Sequence, residues 1–64
     1  MQQSEIPIAV GEEYDVQIQA IGSKGDGVTK INGFVVFVPQ TKVGSTVSIR
    51  IEKVLANFAF ARVI

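Results

Sequence analysis

Six cations and four phenylalanine rings are the groups in this chain whose chemistry is worth following, and together they suit the holding of nucleic acid. Lys24, Lys30, Lys42, Arg50, Lys53 and Arg62 supply positive charge, and Phe34, Phe37, Phe58 and Phe60 supply flat apolar faces. Cations meet phosphates. Rings stack on unpaired bases, worth ~1–3 kcal/mol per base, and a guanidinium beside a ring adds a cation–π term. Other chemistries lack their parts. The chain has no His and no Cys, so the commonest general base, the commonest metal ligand and every thiolate site are absent. No serine or threonine has a histidine to activate it. Asp26 and Glu52 are the two carboxylates beyond the acidic start, and nothing in the sequence pairs them. Neither an enzyme, nor a cofactor, nor a metal site is expected.

Charge is zero overall but uneven along the chain. Glu5, Glu12, Glu13 and Asp15 are four of the six acids, and no base precedes Val16. From Val16 onward six bases face two acids, a net of +4. A folded domain could then show a basic face and an acidic one, the alternative being charge scattered over the surface. At 64 residues the chain is one small domain, of a size that buries only ~60% of the surface exposed by its unfolded form. An apolar share of 47% is that of a globular protein. No apolar run approaches the ~20 residues of a membrane span. The start MQQSEIPIAV lacks a positive, long-apolar leader. A cytoplasmic protein with no membrane partner is the expectation.

The elements that position these side chains are short strands. Residues 1–11 read as an extended lead-in, and residues 12–64 as the folded domain. From Glu13 to Ile21, Tyr14, Val16, Ile18 and Ala20 alternate with polar residues, the period of a half-buried strand. Gly22-Ser23-Lys24-Gly25-Asp26-Gly27 is a turn cluster. Val28 to Ile31 and Phe34 to Val38 are strands joined by Asn32-Gly33, which calls for a type I′ hairpin turn. Pro39 ends the second of them. Residues 40–45 form a loop. Thr46 to Lys53 alternates with Val47, Ile49 and Ile51 inward. Asn57 to Ile64 alternates again. Val54-Leu55-Ala56 offers a single helical turn at best. Five short strands with glycine turns predict an all-β barrel or sandwich, and a barrel leaves no open edge.

Facing decides function. In the last strand Ala59 and Ala61 suit the crowded interior of a small barrel, so Phe58, Phe60 and Arg62 should point outward together. The alternatives are the opposite facing, rings in and alanines out, which keeps the same period, or Phe60 packed under the N-terminal arm. In the hairpin, Phe37 shares parity with Val35, and Phe34 with Val36 and Val38. The expectation is Phe37 inside and Phe34 exposed beside Lys30. The glycine turn is no Walker loop, since GxxxxGK[ST] is absent. It either only turns the chain or cradles a phosphate through its amides, and Lys24 is exposed in both cases.

Gly11…Tyr14-x-Val16-x-Ile18, Gly22-x-x-Gly25-Asp26-Gly27-Val28, Gly33-Phe34-Val35-Val36-Phe37-Val38-Pro39, Val43-Gly44-x-x-Val47 and Val54…Phe58-Ala59-x-Ala61 occur in that order. In this the chain resembles the TRAM domain family from about Gly11 to its end. The resemblance implies a small five-stranded antiparallel OB-like β-barrel that binds RNA, a module usually fused to tRNA- or rRNA-modifying enzymes. A chain that is almost only this module is similar to stand-alone archaeal members, small RNA-binding proteins with RNA-chaperone behaviour and a link to cold response. Carried over by position, Lys24 and Lys30 flank the GDGV turn, Phe34 and Phe37 lie in the FVP strand, and Phe58 and Arg62 lie in the last strand.

The function expected is therefore non-catalytic: an RNA chaperone, monomeric, acting on structured or partly single-stranded RNA such as tRNA or rRNA with little sequence specificity. Its contacts would come from Lys24, Lys30, Phe34, Phe37, Lys42, Arg50, Lys53, Phe58, Phe60 and Arg62. A second reading is a protein-interaction adaptor that uses Phe58, Phe60, Ile6, Ile8 and Val10 as its patch and recruits an RNA-modifying or ribosome-associated partner.

Overall fold

Alternation of apolar and polar side chains resolves into six strands in a computed structural model that describes residues 6–64. Glu5 of the acidic start, with the rest of residues 1–5, lies outside the described residues. The strands are β1 (Glu13–Gln17), β2 (Ala20–Ile21), β3 (Gly27–Ile31), β4 (Phe34–Val38), β5 (Thr46–Val54) and β6 (Phe58–Val63). They form one curled sheet in the order β1-β5-β6-β4-β3-β2. The fold is all-β, and no helix among the described residues is long and apolar enough to cross a membrane.

Two features depart from five antiparallel strands. The stretch expected as one strand from Glu13 to Ile21 is split, because its two halves serve opposite ends of the sheet. β1 pairs with β5 and β2 pairs with β3. The change of partner occurs within two residues. The Ile18 N–H donates to the Ser45 carbonyl, and the Gln19 N–H donates to the Val28 carbonyl, both at 2.8 Å. This bend joins the two sheet edges and curls the sheet on itself. It also turns Ala20 out to solvent, where unbroken alternation had put it with Ile18. The second departure is that β6 runs parallel to β4, with Val35 opposite Phe58, Val36 opposite Ala59 and Phe37 opposite Phe60. The sheet is mixed because β5 and its short turn to β6 carry the chain back alongside β4. Leu55 makes that turn, its N–H donating to the Phe58 carbonyl at 2.8 Å, with no helix there.

The core lies inside the curl. Ile18, Ile31, Val36, Val38, Ile49, Ile51, Ala59 and Ala61 are buried, with Tyr14, Val16, Phe34, Val47 and Val54 packed around them. Each large aliphatic side chain fully buried contributes ~1.5–3 kcal/mol relative to exposure. Ile8 joins this core at 4% exposure. The segment from Ile8 to Glu12 is held by the Gly11 N–H donating to the Ile51 carbonyl and the Ile51 N–H donating to the Glu12 carbonyl, both at 2.8 Å. Thr29 is the one buried polar side chain among the described residues, and its hydroxyl donates to the Gln17 carbonyl at 3.0 Å.

Backbone geometry at the turns follows residue type. Asn32 and Gly33 have φ of 53° and 81°, the left-handed pair that a type I′ turn requires. Gly27 is needed for a different reason, close packing. A Cβ there would overlap Thr41 Oγ1 and sit 3.1 Å from the Val38 carbonyl oxygen.

Candidate nucleic-acid interface

Register across the outer face assembles the candidate site. The Asn32-Gly33 turn places Ile31 opposite Phe34 and Lys30 opposite Val35. Ile31 is buried, so its partner Phe34 points to the core as well, and Val35 and Phe37 point outward with Val28 and Lys30. This reverses the expected facing of the two hairpin rings. Phe34 packs half-buried against the core, and Phe37 stands on the outside. A two-residue hairpin allows no other result once Lys30 faces water, because residues paired across the turn share a face.

From Phe37 the outer row continues through three more elements. Val28, Phe37, Phe60 and Lys53 are successive cross-strand partners on β3, β4, β6 and β5. Lys30, Val35 and Phe58 form the neighbouring row. Ala59 and Ala61 are buried, so Phe58 and Phe60 face outward as the small–large alternation requires. A bulge in β5 completes the rows. Ile51 opposes Ala61 and Lys53 opposes Phe60, so Glu52 is an extra residue on its strand. Without it Lys53 would share the inward parity of Ile51. With it, the ammonium-bearing side chain stands beside an outward ring.

Three rings thus meet on one surface. Phe58 stands edge-on to Phe37 at 5.6 Å and to Phe60 at 5.5 Å between centroids, and Phe37 and Phe60 are 5.9 Å apart and tilted by 35°. Both edge-on pairs have the geometry that the ring quadrupole favours. Phe60 keeps 38% of its surface exposed. The three rings line a hollow of about 270 Å³ together with Gly22, Ser23, Lys24 and Asp26 of the glycine turn. The turn is closed by its own backbone: the Gly22 N–H donates to the Asp26 carbonyl at 2.8 Å, and the Gly25 N–H donates to the Gly22 carbonyl at 2.9 Å. Those amides are therefore spent within the turn. Lys24 is exposed in this lining.

Not every expected contact residue comes to this face. Arg50 is paired with Glu13 across β1 and β5, Nη2 to Oε2 at 2.7 Å, with its Nε donating to the same oxygen at 3.0 Å. Arg62 is paired with Glu52 at 2.6 Å. Lys42 lies in the β4–β5 loop and lines a separate open groove of about 520 Å³ together with Arg62, Gln40 and Ser45. Lys24, Lys30, Lys42 and Lys53 hold no ion pair among the described residues. The surface near the rings is therefore cationic through Lys24, Lys30 and Lys53, while both arginines are neutralised. Ser23 and Asp26 were not singled out as contact residues. Their place in a glycine turn was visible, but not that the turn folds over the rings of β4 and β6.

At the opposite edge the surface is acidic. Glu12 accepts a bond from the Ala9 N–H at 2.8 Å and another from the Tyr14 hydroxyl. The Tyr14 bond, then the Ala9 bond, hold the Glu12 carboxyl below its ordinary range. The same Glu12 contact raises the Tyr14 phenol. Asp15 accepts a bond from the Ser48 hydroxyl on this side.

Comparison with known proteins fits the geometry. An uncharacterized protein of Methanocaldococcus jannaschii is 48% identical over 56 residues, which cover 88% of this chain and 73% of that protein. A ribosomal RNA large subunit methyltransferase E of Methanosarcina mazei is 49% identical over 57 residues, 89% of this chain and 21% of the methyltransferase. A translation initiation factor 2 subunit beta of Methanothrix thermoacetophila is 39% identical over 57 residues, 89% of this chain and 27% of the factor. The chain thus spans a quarter or so of those two larger relatives. The solution structure of a conserved protein of Methanococcus maripaludis superposes with a TM-score of 0.87 at 42% identity, covering 94% of this chain and 86% of that one. The model of the TRAM domain family matches residues 7–64, and on that match the chain belongs to the TRAM domain family.

Proposed function

We propose that the protein is a non-catalytic RNA-binding protein that acts as a chaperone on structured RNA such as tRNA or rRNA. The observation that carries this reading is the joint display of Phe37, Phe58 and Phe60 with Lys24, Lys30 and Lys53 on one face of the sheet. Rings accept any base, and lysines accept any phosphate. Such a face stabilises unpaired strands over paired ones without demanding a sequence. Stacking of one or two bases at ~1–3 kcal/mol each is enough to shift a marginal duplex. The TRAM relatives named as an rRNA methyltransferase and a translation factor support a task near rRNA and translation. The protein works as a monomer in the cytoplasm and needs no metal or cofactor for this task.

The test is strand opening. A fluorophore–quencher RNA hairpin of marginal stability is titrated with the protein at low salt. Opening that rises with protein and is lost in Phe37→Ala supports the reading. Binding without opening leaves an RNA-binding protein that is no chaperone, and no binding at low salt removes both. The adaptor reading loses one of its apolar contacts, because Ile8 is buried in the core.

A further inference from the structure

We infer that the ring hollow takes a single unpaired guanine and that Asp26 is the residue that reads it. This rests on the RNA-binding reading of the same face and adds a base preference to it.

The hollow measures about 270 Å³. That is below the ~300–1,000 Å³ of pockets for drug-sized ligands and suits one planar base. Beside the rings its lining carries Ser23, Lys24 and Asp26. Asp26 is half-buried there. Its backbone carbonyl closes the glycine turn. Its carboxylate holds no ion pair among the described residues. A negative group at the wall of a phosphate-binding hollow weakens contact with every RNA, unless N–H groups of a base bond to it.

The bases differ in what they offer such a group. A carboxylate has two oxygens and only accepts. Guanine presents two N–H donors side by side on its pairing edge, N1–H and the 2-amino group, matched to two carboxylate oxygens in the way a guanidinium fork is. Adenine and cytosine present one amino donor next to a ring acceptor. Uracil presents one N–H between two carbonyls, which a carboxylate repels. The Ser23 hydroxyl in the same lining is a donor of the kind guanine O6 accepts. Lys24 holds the phosphate of the same nucleotide and offsets the charge of Asp26.

The measurement is fluorescence anisotropy with short oligouridine RNAs carrying one central guanosine, inosine, adenosine, cytidine or uridine, at low salt. The guanosine strand should bind about tenfold more tightly than the all-uridine strand, the scale of one bidentate base contact. Inosine lacks the 2-amino group and should fall between them. Asp26→Asn keeps the turn chemistry. It should erase the guanine advantage without weakening binding to oligouridine, since it removes a negative charge. Equal affinity for all five strands, or a guanine advantage that survives Asp26→Asn, would overturn the base preference. Phe60→Ala separates the two claims. If it weakens binding to five equally bound strands, the RNA face stands and only the guanine reading falls. If no strand binds, both fall.

Discussion

Phe60 is the residue on which the stacking account can be read most simply. It is the most exposed of the rings on the outer face, and its neighbours on the strand, Ala59 and Ala61, make the core contacts. Phe60→Ala should weaken RNA binding by ~1–3 kcal/mol and lower the thermal midpoint by several degrees without unfolding the domain, the cost of its contacts with Phe37 and Phe58. Titration and calorimetry on one sample check both. Gly27 tests the opposite kind of residue. Its place leaves no room for a methyl group, with Thr41 and the Val38 carbonyl in the way. Gly27→Ala should lower stability by ~1–3 kcal/mol, the ordinary cost of overpacking, seen as a lower urea midpoint at unchanged slope. The outward facing of Phe58 and Phe60 was legible in the sequence, because alanine between large rings has one comfortable side in a narrow barrel. The facing of Phe34 and Phe37 was also within reach. It needed the pairing rule of the Asn32-Gly33 turn, not the size of the rings, to outweigh the preference for burying a phenylalanine.

At the level of elements, the strand boundaries were largely visible as alternation, and the hairpin turn was visible as Asn-Gly. Two features were not. The split between β1 and β2 arises because β1 pairs with the distant β5 while β2 pairs with β3 across the glycine turn, and no pattern within the stretch marks it. The bulge at Glu52 is a register shift against β6. In isolation Thr46 to Lys53 alternates regularly. Both are tertiary decisions, and the second delivers Lys53 to the rings. The segment that carries Ile8 into the core makes a further prediction. Glu12 holds it through the Tyr14 hydroxyl and the Ala9 N–H, and its carboxyl is depressed by those bonds. A depressed carboxyl stabilises above its unfolded pKa, and the effect is lost as pH falls through the lower folded value. Tyr14, whose phenol is raised, contributes below its unfolded pKa and loses the effect as pH rises through its folded value. The Ala9 amide should therefore be best protected from hydrogen exchange, after correction for intrinsic rates, between those two limits. On acidification its protection should fall before that of Ile49 and Ile51, and Glu12→Gln should abolish that acid step.

For the whole molecule, charge distribution matters more than net charge. The chain is neutral, yet the two arginines are matched by Glu13 and Glu52 while the lysines near the rings hold no ion pair among the described residues. Three phosphate contacts from Lys24, Lys30 and Lys53 correspond to a log–log salt slope of about −2 for single strands. Lys24→Glu should weaken binding to all RNAs alike and flatten that slope by about one. A slope near zero in the parent protein would show that phosphates are not bound. The sequence showed that the acids cluster early and the bases late. It did not show which bases are cancelled by pairs, because Glu13 and Arg50 meet only across β1 and β5.

The central claim is that one face, with Phe37, Phe58 and Phe60 between Lys24, Lys30 and Lys53, is where RNA sits. Chemical-shift mapping of the amide and aromatic signals during titration with a short single-stranded RNA tests it directly. The account predicts shifts concentrated at the glycine turn, at Val35 and Phe37, at Phe58 and Phe60, and at Lys53. Shifts confined to Glu13, Tyr14, Asp15 and Ser48 on the acidic side, or no shifts at low salt, would contradict it.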